Sequence, residues 1–295
     1  MPAGYNAAIF GMACTYTTKD VHPFVTSLRA TGYDDAVFLG IDPDVATRSF
    51  LEKHAVIVRE DPCRELQDDM RVERGQDGVT WLGNLNQRRW TYYKQWVGEG
   101  KYDRVWLLDV RDVVFQTDPF PPQGMRPLPD LALYVDKPVL TPFQASKLVM
   151  CFGEQTWERM LASGMPNLCG GSIFGTPRGV ASLADSLIKL SQAVTKQACT
   201  RNDQHLLNYH AFRKNFTRTG VHRSWGVYDN FNGLVLTVGS PCSRTQLKKH
   251  TNARGQLVNE DGTPVPVLHK WERCNFTARL VADAGFLYEE PGRPR

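Results

Sequence analysis

The chain has 295 residues, 42% apolar and 22% charged, with a net charge of +4. That length supports one large or two modest domains around a sizeable core, and the composition excludes a disordered chain. Charges of both signs are interspersed, which leaves no nucleic-acid footprint, while the mild basic excess suits an anionic small molecule. In chain order, Ala7–Thr15 reads as a first strand, and Thr17-Thr-Lys-Asp20 caps a helix that runs to Gly32. Ala36–Leu39 reads as strand two, Val45–His54 as a helix and Ala55–Val58 as strand three. This alternation argues for a parallel sheet with right-handed crossovers. Residues 60–80 read as a polar loop. Asn84 and Gln87 form a capping box for a helix over Leu85–Glu99, which carries Arg89, Trp90, Tyr93 and Trp96.

The sequence then reaches Tyr102-Asp-Arg-Val-Trp-Leu-Leu-Asp-Val-Arg-Asp-Val-Val-Phe-Gln-Thr-Asp-Pro-Phe120. Val105–Leu108 is an apolar run with the signature of a strand buried on both faces. It ends in Asp109-Val110-Arg111-Asp112, where ligands of open α/β sheets bind. Two carboxylates there repel each other unless a proton or a cation lies between them. Their oxygens suit Mg²⁺ or Mn²⁺. The opposing reading is a solvated turn neutralised by Arg111.

Five prolines between Pro119 and Pro129 form a rigid connector. After it come a strand over Leu131–Val135, a helix over Glu154–Leu161, the stretch Asn167-Leu-Cys-Gly-Gly-Ser-Ile-Phe-Gly175, and helices over Gly179–Lys196 and Asp203–Lys214. Gln256–His269 reads as a hairpin turning at Glu260-Asp-Gly262. No G-x-G-x-x-G follows the first strand and no G-x-x-x-x-G-K-[ST] occurs, so the usual dinucleotide and P-loop cradles are missing. Gly170–Gly175 misses the G-x-S-x-G elbow. His205 and His210 are five apart rather than four, which argues against a helical zinc pair.

No apolar run approaches the ~18 residues of a membrane helix, and the N-terminus carries no signal-peptide pattern. Seven cysteines without a CxxC pair read as buried free thiols in a reducing compartment, so a cytoplasmic location is expected. Two Asn-x-Thr triplets, at Asn215 and Asn275, point the other way.

Four stretches in order, Ala13-Cys-Thr-Tyr-Thr-Thr-Lys-Asp20, Leu108-Asp-Val-Arg-Asp112, Asn202-Asp-Gln-His-Leu-Leu-Asn208 and Pro266-Val-Leu-His-Lys270, resemble the GT-A glycosyltransferases, in particular the glycogenin-like and galactosyltransferase-like enzymes. The resemblance covers about residues 7–275. It implies a single Rossmann-like α/β domain with a mostly parallel sheet flanked by helices. A nucleotide-binding half would span about 1–118 and a smaller acceptor-side half about 131–295. The implied activity moves a sugar from a nucleotide-sugar donor, a UDP-sugar first, to a hydroxyl of a glycan, protein or small molecule, with Mn²⁺ or Mg²⁺.

Residue by residue, the resemblance gives Tyr16 and Thr18 to base and ribose, with His22 as a stacking partner, and Arg89 to the donor phosphates. Asp109 and Asp112 match the DxD acids, Val110 offers its backbone, and His269 completes the metal site beside Lys270. Gly170 and Gly171 match the turn that lets the sugar approach backbone. Asp203-Gln204 matches the pair facing the anomeric carbon. Trp225, Tyr228, Asp229 and Phe231 suit an acceptor sugar, with Asp203 or Asp229 as the base for inversion, and Gln204 beneath the sugar for retention. The pattern departs from the family at two places. Arg111 occupies the third position and Asp112 the fourth, so either the turn is one residue longer or Arg111 substitutes its charge for the metal. Cys169 stands where the family has Asn. A phosphohydrolase with paired aspartates and a non-catalytic carbohydrate-binding relative are the alternatives; a sugar-nucleotide pyrophosphorylase lacks its Gly-rich loop.

Overall fold

A computed structural model describes residues 6–64, 85–120, 129–194, 203–214, 224–238 and 242–287. The opening alternation of the sequence is realised as β1 (Ala7–Met12), α1 (Thr18–Ala30), β2 (Ala36–Gly40), α2 (Val45–Lys53) and β3 (Ile57–Arg59). Helix α1 starts at a capping box in which the Thr17 amide and hydroxyl both donate to Asp20, each at 2.9 Å. It ends before Gly32, whose φ of +82° only glycine adopts readily. Strand β1 stops at Met12 rather than Thr15, because Thr15 turns into the left-handed region at φ +70°. Strand β3 starts at Ile57 rather than Ala55 for the same reason, since Ala55 lies at φ +51°.

Helix α3 (Leu85–Glu99) leads into β4 (Arg104–Asp109), followed by β5 (Val113–Phe115) and β6 (Leu131–Lys137). Next come α4 (Pro142–Phe152), α5 (Glu154–Ala162), β7 (Asn167–Gly175), α6 (Pro177–Ala193) and α7 (Asp203–Arg213). The chain continues through β8 (Gly226–Tyr228), β9 (Val235–Thr237), α8 (Arg244–Lys249), β10 (Val267–His269) and α9 (Asn275–Asp283). Asn84, most of the expected loop at 60–80, and the proline run from 121 to 128 lie outside the described residues.

The main sheet has the order β3-β2-β1-β4-β7-β6-β8. Only β7 runs against its neighbours; the other six strands point the same way. The expected mixed α/β architecture, a mostly parallel central sheet flanked by helices, is therefore present and agrees with a GT-A, Rossmann-like fold. Alternating side chains of β1 serve opposite faces, as a pleated strand requires. Ala8, Phe10 and Met12 pack with Trp90, Tyr93 and Trp96 of α3 and with α6, whereas Ala7 and Ile9 pack with Val21, Phe24 and Leu28 of α1.

A second sheet, β5-β10-β9, follows directly on β4. The expected hairpin over Gln256–His269 is only partly formed. Its turn closes through Gly262 (φ +81°) with a bridge between Val258 and Pro264. Val267–His269 then leaves that partner, pairing antiparallel with β5 and parallel with β9. The expectation of free thiols is corrected. Cys14–Cys63 and Cys242–Cys274 are disulfides, and Cys151 is disulfide-bonded too; among the described residues Cys169 is a buried free thiol. The cysteine argument for a reducing compartment thereby loses its premise. No described helix is long and apolar enough to cross a membrane.

Candidate functional site

Strand register determines which residues meet at the carboxyl edge. Met12 of β1 is level with Asp109 of β4, and Leu108 is level with Ser172 of the reversed β7. The reversal delivers the start of β7, rather than its end, to the edge where the parallel strands finish. Gly171 consequently lies under Asp109. A Cβ there would meet Asp109 Oδ2 at 2.0 Å and His269 Cε1 at 2.8 Å, so no other residue fits without displacing both.

After Asp109 the chain leaves the main sheet and joins the second one within three residues. The four-residue acidic turn thus spans two sheets. On the second sheet His269 pairs with Val113, directly after Asp112, and the Lys270 amide donates to the Asp112 carbonyl at 2.7 Å. Lys270 adopts a left-handed conformation (φ +58°) to do so. One ligand atom each from Asp109, Asp112 and His269 lies within 4.8 Å of the others. His269 Nε2 stands 3.5 Å from Asp109 Oδ2 and 3.4 Å from Asp112 Oδ1, is fully buried, and makes no hydrogen bond among the described residues. An orphaned imidazole nitrogen aimed between two carboxylates fits a divalent cation, and this donor set suits Mn²⁺ or Mg²⁺. Burial acts to lower the pKa of His269, but Cys169 and the two carboxylates hold it well above its ordinary value. Asp109 lies below the carboxylate range: burial opposes this, and His269 and Arg89 outweigh it.

Arg111 takes no part in that cluster. It is half-exposed and pairs with Glu272 at 3.2 Å. Tyr16, at the end of the β1 loop, has its phenol pushed up to about 12 by burial and then by Asp109. The Thr18 hydroxyl is 3.0 Å from that of Thr47, and His22 stacks on Phe50 with centroids 5.3 Å apart. Val110 is buried, with its side chain where a Cβ on Gly11 would fall.

Arg89 is buried beneath the acids rather than on a solvated helix face. Its Nε donates to Asp203 Oδ2 at 2.6 Å, Nη1 to Asp109 Oδ1 at 3.0 Å and Nη2 to the Gly170 carbonyl at 2.9 Å. Asp203 Oδ2 also accepts from Trp90 Nε1 at 3.0 Å. Burial and then Asp109 raise the pKa of Asp203, although Arg89 opposes them. Gly170 packs against the Gln204 backbone, 3.3 Å from where its Cβ would be.

A residue absent from the sequence reading organises the other side. Asp136, at the end of β6, accepts from Lys270 Nζ at 2.7 Å, Asn167 Nδ2 at 3.0 Å and Gln204 Nε2 at 3.1 Å. Burial would raise its pKa, but Lys270 and Gln204 bring it below the usual value. The available signal was the one used for Asp109, an acid closing an apolar strand. Asn208, in turn, ties α7 to β7 by accepting from the Leu168 amide and donating to Asn167 Oδ1 and the Gln204 carbonyl. Asp229 follows β8 beside β6 and is half-buried. Trp225 and Tyr228 are also half-buried, while Phe231 is a core residue stacked on His250. Of the two Asn-x-Thr triplets, Asn215 lies outside the described residues. Asn275 is exposed, with Thr277 buried two residues on.

No protein-family model matches the chain, and no curated protein does. Among solved structures, apo mouse xyloside xylosyltransferase 1 is similar at 13% identity, with 88% of this chain and 96% of that one covered and a TM-score of 0.48. A likeness of that size says nothing about chemistry, which has to come from the site.

Proposed function

We propose that the chain is a glycosyltransferase that moves a sugar from a nucleotide-sugar donor, a UDP-sugar first, to a hydroxyl of a carbohydrate or glycoconjugate acceptor. The observation that carries this reading is the convergence of Asp109, Asp112 and the orphaned Nε2 of His269 over Gly171 at the carboxyl edge of the sheet. A divalent cation held by these three residues would neutralise charge on the departing nucleoside diphosphate. Tyr16 and Thr18 border the same edge on the β1 side and take the nucleoside. Arg89, with its donors committed to Asp203, Asp109 and Gly170, holds the metal acid and the Asp203–Gln204 turn in a fixed relation. Gln204 faces the sugar. Asp203, buried and hydrogen-bonded twice, is a scaffold acid, which leaves Asp229 as the base on the acceptor side.

The phosphohydrolase alternative needs a free nucleophilic carboxylate. Asp109 has one oxygen bonded to Arg89 and the other turned to His269. The disulfides favour an oxidising compartment over the cytoplasm. If that holds, the denatured, unreduced chain exposes at most two reactive thiols.

The experiment is thermal shift against nucleoside diphosphates and sugar nucleotides, each with Mn²⁺ and with EDTA. A ligand at a hundred times its Kd adds about 2.7 kcal/mol. Stabilisation by one nucleotide class that disappears in EDTA supports the reading. No response to any nucleotide overturns it.

A further inference from the structure

His269 is held from behind as well as aimed forward. Its Nδ1 lies 3.1 Å from Cys169 Sγ and 3.1 Å from Ser172 Oγ, and all three residues are buried. Residues three apart on a regular strand point to opposite faces, so Cys169 and Ser172 should not reach one atom. They do so because β7 is irregular at this point. Leu133 of β6 is level with Ile173, yet Val135, two residues on, is level with Leu168, so the β7 strand carries extra residues across Cys169–Ser172. Gly170 and Gly171 sit inside that bulge. Such bulges re-aim side chains.

We propose that Cys169 and Ser172 are joint positioning residues for His269, accepting its Nδ1–H so that the Nε2 lone pair points into the gap between Asp109 and Asp112. This rests on the metal reading of that gap. An imidazole ligates through one nitrogen only when the other carries the proton, and a partner on that other nitrogen sets both tautomer and ring orientation. Here the partner is a hydroxyl and a thiol sharing one N–H, in place of a single carboxylate or carbonyl. One proton serves one acceptor well at a time, so either group covers for the other. Cys169, which departs from the family pattern and forms no disulfide, thereby gains a reason to stay reduced.

The test is Mn²⁺ binding followed by electron paramagnetic resonance, with melting temperature measured alongside. Ser172→Ala and Cys169→Ala should each weaken Mn²⁺ only a few-fold, and the double variant about 10–100-fold. That exceeds the product of the single effects. The swapped chain Cys169→Ser/Ser172→Cys keeps both acceptors and should bind close to wild type. If wild type binds Mn²⁺ but the double variant binds equally well, the positioning role falls and the metal site stands. If the swapped chain loses Mn²⁺ as the double variant does, packing rather than hydrogen bonding is responsible, and the role again falls. If wild type itself fails to bind Mn²⁺, the metal reading falls first and takes this role with it.

Discussion

Two acidic centres lie on one sheet edge, and they are built on opposite principles. Asp136 is complete, with Lys270, Asn167 and Gln204 supplying every charge and hydrogen bond it needs. Asp109 and Asp112 share a buried imidazole nitrogen, 3.5 and 3.4 Å away, that makes no hydrogen bond among the described residues. Buried polar groups are normally paired, and the exceptions concentrate where something else binds. The first centre is therefore built as scaffold, and the second is where we propose that a cation binds, although their sequence signals are alike.

The contrast is broken most severely at Asp136. Asp136→Leu leaves the Lys270 ammonium buried and unpaired, which should cost about 3–5 kcal/mol. At about 2–4 °C per kcal/mol for a chain of this size, the loss is plain in a melting curve. Asp136→Leu combined with Lys270→Met should recover most of it; if the double variant stays as unstable as the single, the ion pair is not the cause. Next in size, Gly171→Ala forces a methyl onto Asp109 and His269 and should cost about 1–3 kcal/mol, with the Mn²⁺-dependent shift lost. An unchanged Mn²⁺ response in this variant would disprove the close packing of glycine under the acids.

Asp109→Asn and Asp112→Asn should each abolish Mn²⁺-dependent stabilisation. Asp109→Asn should also lower stability by about 1 kcal/mol or more, because it removes the charge that pairs with buried Arg89 and with His269, whereas Asp112→Asn should lose less. Arg111→Ala should be the mildest change. Its half-exposed pair with Glu272 contributes at most about 1 kcal/mol, and the metal response should survive. Loss of that response would return Arg111 to the role of a substitute charge.

The complete centre also has a pH signature. Asp136 titrates below its unfolded value, so its contribution is present above about pH 4 and is lost as pH falls through the folded pKa. Lys270 is raised, so its contribution is full below about pH 10 and is lost as pH rises through the folded value. Melting temperatures of the Asp136→Leu/Lys270→Met chain should lack both slopes relative to wild type.

The sequence by itself determined the elements up to β4 and, after it, helices α5, α6 and α7 but not α4 (Pro142–Phe152), because each was written in local periodicity and capping: Thr17 with Asp20, the apolar run Val105–Leu108, and the aromatic face of α3. It also marked Asp109 and Asp112, since a charge that closes an apolar strand is visible without the fold. What it did not contain was the reversal of β7 and the departure of Val267–His269 from its hairpin to join β5. Those pairings join residues far apart in the chain, 64 apart at Leu108–Ser172 and 156 apart at Val113–His269, and no local pattern encodes them. Arg89 illustrates the limit. Its helix was legible, but only the packing of α3 under β7 and α7 turned a helix-face cation into a buried clamp between Asp109 and Asp203. The disulfides were hidden for the same reason, since Cys14 and Cys63 meet only once β1 and β3 have taken their places on either side of β2.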